Sequence, residues 1–215
     1  EDEWLKCPMC LSFEELGDQL RKARYLRVDR IAPLPPQDDA PAGDAADTLA
    51  GLGWRISLLD QPQGPEGDVQ GCVLYALDEL GLSTLQPAPR QAVGRKLLVN
   101  VTPLQPDSKR QRDRVASNDE LAEASLGIKR LGVLRMDVDD LGRVFQQGLG
   151  KEASLSRIAA LSLAISLYFE GYVETLARRA NPEQGHQAAY SIYSGGDDLF
   201  FVGAWDAMLA LAQDI

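Results

Sequence analysis

Five aspartates fall in two short motifs, Asp137-Val138-Asp139-Asp140-Leu141-Gly142 and Ser194-Gly195-Gly196-Asp197-Asp198. Carboxylates brought this close repel one another and ionise together only beside a cation. Magnesium and manganese suit such hard oxygen ligands, and magnesium commonly takes one or two carboxylates plus substrate phosphates. Two such ions can activate an attacking hydroxyl and neutralise a leaving pyrophosphate. Asp137, Asp197 and Asp198 are the candidate ligands. The amides of Asp140, Leu141 and Gly142 are candidates to receive phosphate oxygens, since successive backbone N–H groups in a turn attract anions. Either motif alone also reads as an ordinary hairpin turn or a solvated strand end. Together, in this order and separated by one long helix, they read as catalytic.

The positioning elements follow from pattern. The apolar stretch Leu131–Met136 reads as a buried strand ending in the first motif. Leu155 to about Ala180 carries Leu155, Ile158, Leu161, Ile165, Phe169, Tyr172 and Leu176 at three- and four-residue spacing, which predicts a core helix capped by Ser154 and stopped by Pro182. Ala189–Ser194 and Leu199–Val202 predict a hairpin whose Gly-Gly pair supplies positive φ angles at the turn. Trp205 to Ala212 opens another helix. A right-handed crossover sets the second strand parallel to the first. With the return strand inserted between them, both motifs reach one edge of the sheet, and three carboxylates converge.

Upstream, Cys7-Pro8-Met9-Cys10 is a C-x-x-C knuckle. Tetrahedral zinc needs four ligands, and Cys72 and His186 are the remaining cysteine and histidine of the chain. The reading favoured is half of a zinc ribbon whose other pair lies upstream; redox or inert cysteines are the alternatives. Cys72, ahead of an apolar run, reads as a small buried hydrophobe. A helix is expected from Ser12 to Leu20 with Ser12 as cap and Glu15 completing a capping box. Strands are expected at Tyr25–Val28, Trp54–Leu59, Val73–Leu77 and Leu97–Val101, with loops at Pro33–Asp44 and Gln61–Gly71. Residues 105–116, with Lys109, Arg110, Arg112 and Arg114, read as a charged connector, and Ser117 caps a helix through Glu123. The expected organisation is a small β-rich module over 1–104, a connector over 105–130, and the acidic-motif domain over 131–215.

Composition narrows the function classes. The 215 residues carry 22 basic and 32 acidic side chains, a net charge of −10, with 45% apolar residues. A free-standing duplex-DNA binder is normally basic, so that class is disfavoured. One histidine excludes multi-histidine zinc and two-histidine iron sites. Three cysteines cannot build a disulfide framework, which suits a reducing cytoplasm. No apolar run approaches the roughly 18–20 residues of a membrane span.

The two acidic motifs resemble the catalytic palm of the large subunit of type III CRISPR effector complexes, a relative of GGDEF nucleotidyl cyclases and polymerase palms. Cys7–Cys10 followed by Phe13-Glu14-Glu15-Leu16-Gly17 resembles that family's zinc-binding linker. Leu121-Ala122-Glu123-Ala124-Ser125 ahead of Lys129–Leu134 resembles its entry to the second palm. Among subtypes the chain looks most like the III-A form. The resemblance implies an α+β fold: a ferredoxin-like palm (β-α-β-β-α, truncated) preceded by a small β-rich zinc-linker domain. It implies synthesis of cyclic oligoadenylates from ATP when target RNA is bound. Asp137 and Asp197 match the metal-binding acids, Asp198 completes the pair, Val138 offers a carbonyl to a metal, and Ser194, Gly195 and Gly196 border the nucleotide. The implied cofactors are magnesium or manganese and structural zinc. The implied partners are guide RNA, target RNA and the small, backbone and 5′-handle-binding subunits, with no membrane.

The chain has no His-Asp nuclease signature and no first palm, and it stops seventeen residues after Asp198. It is therefore expected to be an internal segment, weakly active or inactive alone. A diguanylate cyclase is the first alternative, opposed by the aspartate pair and the cysteine knuckle. A scaffold palm that only holds RNA and neighbouring subunits is the second.

Overall fold

The computed structural model describes residues 6–34, 43–77, 85–107, 112–179 and 188–215. Trp4, Lys109, Arg110, Pro182, His186 and most of the expected Pro33–Asp44 loop lie outside the described residues. The chain divides into two compact units, Glu1–Lys96 and Leu97–Ile215, a division earlier than the expected boundary at 104. Both units mix helices and sheets, the α+β class expected.

In the first unit, helix α1 (Pro8–Leu20) begins four residues before the expected cap at Ser12. Pro8 occupies the first turn, where its missing N–H costs nothing, and the Cys7 sulfur accepts from the Cys10 amide at 3.4 Å. Ser12 sits inside the helix, where its hydroxyl donates to the Met9 carbonyl and accepts from the Ala45 amide. Helix α2 (Ala45–Gly51) follows, with Asp44 and Asp47 forming a capping box. Strands β1 (Tyr25–Arg30), β2 (Trp54–Leu59), β3 (Gly71–Ala76) and β4 (Gln91–Arg95) form one sheet in the order β2-β1-β3-β4. One face of β1 and β3 buries Tyr25, Arg27, Asp29, Cys72, Leu74 and Ala76. The Asp29 carboxylate takes ion pairs from Arg27 (3.2 Å) and Arg55 (3.0 Å). Removing either arginine would leave a buried charge less compensated.

The second unit opens with a departure from expectation. Leu97–Val101 forms no named strand. The Val101 amide is bonded by the Ser191 hydroxyl at 2.9 Å, and the Val101 carbonyl accepts from the Ser191 amide. A side chain thus replaces a ladder bond and the segment stays irregular, although Val99 and Val101 are core residues. The expected connector contains a short antiparallel pair, β5 (Leu104–Asp107) and β6 (Arg112–Val115). Helix α3 (Asn118–Glu123) is capped by Ser117 with Glu120, as expected. Arg114 forks onto Glu120, holding its carboxyl down at about 2 from an ordinary 4.5.

Strand β7 (Leu131–Asp137) leads into helix α4 (Leu141–Gln147) and a 3₁₀ turn at Gly150–Glu152. The long helix expected from 155 is broken into α5 (Leu155–Leu167), a π-helical turn (Tyr168–Tyr172) and α6 (Val173–Arg179). Strands β8 (Ala189–Gly195) and β9 (Asp198–Ala204) and helix α7 (Trp205–Asp214) complete the order. The sheet order is β7-β9-β8 with both pairings antiparallel, so β9 is the central strand and β7 and β8 run parallel. One sheet face, carrying Leu134, Leu199 and Phe201, packs with Phe169, Val173, Leu176, Met208 and Leu211 of the helical elements. Among the described residues, no helix is long and apolar enough to cross a membrane.

Candidate functional site: an acidic rim on an open sheet face

Alternation along β7 and β9 decides which side chains face the helices. Leu134, Leu199 and Phe201 are buried against them, whereas Val133, Arg135 and Asp137 alternate outward and are exposed. Asp198 pairs directly with Asp137 in the ladder. Side chains opposite each other on neighbouring strands share a face, with Cβ atoms about 4.5–5.5 Å apart. Asp137 and Asp198 therefore stand side by side at the end of the open face.

The turn that sets this register is tight. Gly195 pairs with Asp198, leaving Gly196 and Asp197 as the loop. Gly196 alone takes a positive φ, +67°, the pattern of a type II′ hairpin turn, so one glycine of the pair supplies the left-handed conformation. The Asp197 carbonyl accepts from the Val138 amide at 3.0 Å, which ties the first motif to the second through backbone.

Tyr193, which sequence reasoning missed, completes the rim. Its hydroxyl donates to Asp198 Oδ2 at 2.7 Å, and its ring lies 6.1 Å from that of Phe200. That bond to a carboxylate is the first cause holding the phenol above its ordinary pKa, with Arg135 opposing. A register shift between Ser191 and Tyr193 puts Tyr193 opposite Phe200 and so on the open face. Arg135 is the other missed residue. It lies two positions before Asp137, so period-two alternation was the available signal.

Ser194 turns the other way. Its hydroxyl donates to the Phe169 carbonyl at 2.6 Å, inside the π turn. A π turn shifts backbone bonds to i→i+5, and such turns often sit at functional sites. Here it offers a carbonyl that fastens the strand leading into Gly195-Gly196. Asp140 caps α4 with left-handed backbone (φ 56°) and no side-chain cap bond, so Leu141 and Gly142 start a helix whose first amides lack intrahelical partners.

Among the described residues, no three His, Cys, Asp or Glu side chains are grouped as metal ligands. The ladder pairs Asp137 with Asp198, and Asp197 is joined to the first motif through its carbonyl. A pair still fits magnesium, which usually binds through one or two carboxylates and completes its shell with water and phosphate. In the first unit the Cys7 and Cys10 sulfurs are 3.3 Å apart, a two-ligand knuckle. The Cys10 amide lowers the Cys7 pKa.

Comparison with known proteins points the same way. Residues 130–215 match the family model for the Cas10/Cmr2 second palm domain. Over 111 residues, 47% of this chain, the sequence is 40% identical to the CRISPR system single-strand-specific deoxyribonuclease Cas10/Csm1 (subtype III-A) of Methanocaldococcus jannaschii, covering 14% of that protein. The protein so named in Mycobacterium tuberculosis is 47% identical over 101 residues, covering 41% of this chain and 12% of the relative. Among solved structures, a Csm1-Csm4 cassette in complex with one ATP superposes with a TM-score of 0.65 at 26% identity, over 92% of this chain and 26% of that one. A Csm1-Csm4 cassette in complex with pppApA gives 0.62 at 25% identity, over 90% of this chain and 25% of that one. The chain therefore corresponds to a minor part of each relative's length.

Proposed function

We propose, from the match of residues 130–215 to the Cas10/Cmr2 second palm domain and the resemblance of the chain to part of a III-A large subunit, that this palm joins ATP into cyclic oligoadenylates within a target-RNA-activated type III CRISPR complex. The observation that carries the reading is the pairing of Asp137 with Asp198 on the exposed face at the Gly-Gly turn. The binding of ATP and pppApA by similar Csm1-Csm4 cassettes supports the substrate and the growing product.

In this reading Asp137 and Asp198, with Asp197 beside them, hold magnesium or manganese. The metal, when bound, supplies positive charge to the triphosphate and lowers the pKa of the attacking 3′-hydroxyl. The chain's own groups position the reactants. The amides of Asp140, Leu141 and Gly142 donate to phosphate oxygens, and the Val138 carbonyl is a further oxygen ligand. Ser194, Gly195 and Gly196 border the nucleotide, with Ser194 anchored to the Phe169 carbonyl. Tyr193 orients the Asp198 carboxylate and leaves its other oxygen available. The 3′-oxygen bonds to the α-phosphorus, the α–β anhydride bond breaks, pyrophosphate departs and the hydroxyl proton passes to solvent.

Cys7 and Cys10, whose sulfurs lie together at the start of α1, would supply two thiolates to a structural zinc in the first unit. Guide RNA, target RNA and the other effector subunits are the partners, the Csm1-Csm4 cassettes supporting a subunit of the Csm4 kind. In the complete complex with target RNA, Asp197→Ala with Asp198→Ala should abolish oligoadenylate formation from labelled ATP while RNA binding persists. Unchanged product on chromatography would reject the assignment.

A further inference from the structure

The first unit carries a second surface that the palm chemistry does not use. On β1, Leu26, Val28 and Arg30 alternate away from the buried face, and Arg30 pairs across the sheet with Trp54 on one side and Gly71 on the other. The Arg30 guanidinium stacks over the Trp54 ring, 5.1 Å from its centroid. Beside them lies an open depression of about 540 Å³, lined by Val28, Arg30, Trp54, Val73, Arg90 and Ala92 among others. Among the described residues no carboxylate lines it, in a chain whose net charge is −10.

Arg30 and Arg90 have no ion-pair partner among the described residues, whereas Arg21, Arg27 and Arg55 of the same unit are paired with aspartates. Arg90 is also held at φ +63°, a conformation that arginine adopts at a cost. At Gly71 an added Cβ would meet nothing within 4 Å among the described residues, so among them the position beside Arg30 is open. The site therefore offers an exposed stacking plane, two uncompensated guanidinium groups and an apolar floor of Val28, Val73 and Ala92. Single-stranded nucleic acids are bound by this combination: bases stack on aromatic or guanidinium planes while phosphates meet arginine.

We propose that this sheet face docks single-stranded RNA, a base stacking on the Arg30–Trp54 pair and a phosphate on Arg90. The preference for RNA over DNA rests on the proposed function; the stacking plane and the cations do not. The test is fluorescence anisotropy of a labelled 12-nucleotide RNA titrated with the 215-residue chain at several salt concentrations. Trp54→Ala should weaken binding about tenfold, within the range of one lost base stack. Arg90→Gly should weaken it by a similar factor and flatten the slope of log affinity against log salt by about 0.7, one phosphate contact on a single strand. Glycine suits the left-handed backbone at that position, so the variant's thermal midpoint should not fall and loss of binding cannot be ascribed to unfolding. Arg30→Lys should retain the salt slope and lose the stack. Absent binding, affinity indifferent to all three substitutions, or DNA of the same sequence binding as tightly as RNA would each overturn the proposal. The readout needs neither ATP nor product, so its failure is distinguishable from failure of the palm chemistry.

Discussion

Cys7 sits at the start of a helix, where the Cys10 amide points at its sulfur and lowers its pKa, and the Cys10 thiol is pushed upward first by its hydrogen bond with the Cys7 sulfur and then by the Cys7 charge. Cys72 is buried on the sheet beside Asp29, and burial first, then the carboxylate, pushes its thiol up to about 11. In the metal-free chain at pH 8, iodoacetamide should modify Cys7 fastest and Cys10 more slowly, with Cys72 spared until the protein unfolds; peptide mass spectrometry reads the order. Early alkylation of Cys72 would contradict its buried setting. At this scale the sequence made legible which residues meet, Asp137 with Asp198 across the ladder and Cys7 with Cys10 within one helical turn. Tyr193 was hidden because its facing depends on a register shift between Ser191 and Tyr193, which no two-residue periodicity announces.

Strand β7 lies so close to helix α7 that Gly132 has no room for a side chain: an added Cβ would come within 2.7 Å of the Trp205 Cα. Gly132→Ala should therefore cost about 1–3 kcal/mol by overpacking, read as a lower denaturant midpoint with an unchanged slope. A neutral substitution would mean that α7 is free to shift. The order of strands and helices around the site was legible because each run has a clear period and clear breaks. The helix from 155 was legible as an element but not as an interrupted one. Its π turn is fixed by tertiary partners, including the bond from Ser194 to the Phe169 carbonyl, and these are distant in sequence. The start of α1 was misjudged because a cysteine sulfur, rather than the better-known serine, caps it. Leu97–Val101 looked like a strand because its apolar residues are core residues, but its bonds go to a serine side chain.

For the molecule as a whole, the two units ask different things of one acidic chain. The second unit carries paired carboxylates on an open face, which a divalent cation would compensate in the proposed function. The first unit sets Arg30 and Arg90, which have no ion-pair partner among the described residues, beside an exposed tryptophan. The α+β class and the inserted central strand were readable from element order, whereas the division at Lys96–Leu97 was not, since the irregular segment after it belongs to the palm unit's core. The central claim is that Asp137 and Asp198 face each other across the ladder in order to hold a cation with a triphosphate. Isothermal titration of ATP into the chain, with and without manganese, tests it most directly. Manganese-dependent binding that is lost in both Asp137→Asn and Asp198→Asn is the predicted result. ATP binding that needs no metal, or that survives both substitutions unchanged, would contradict it.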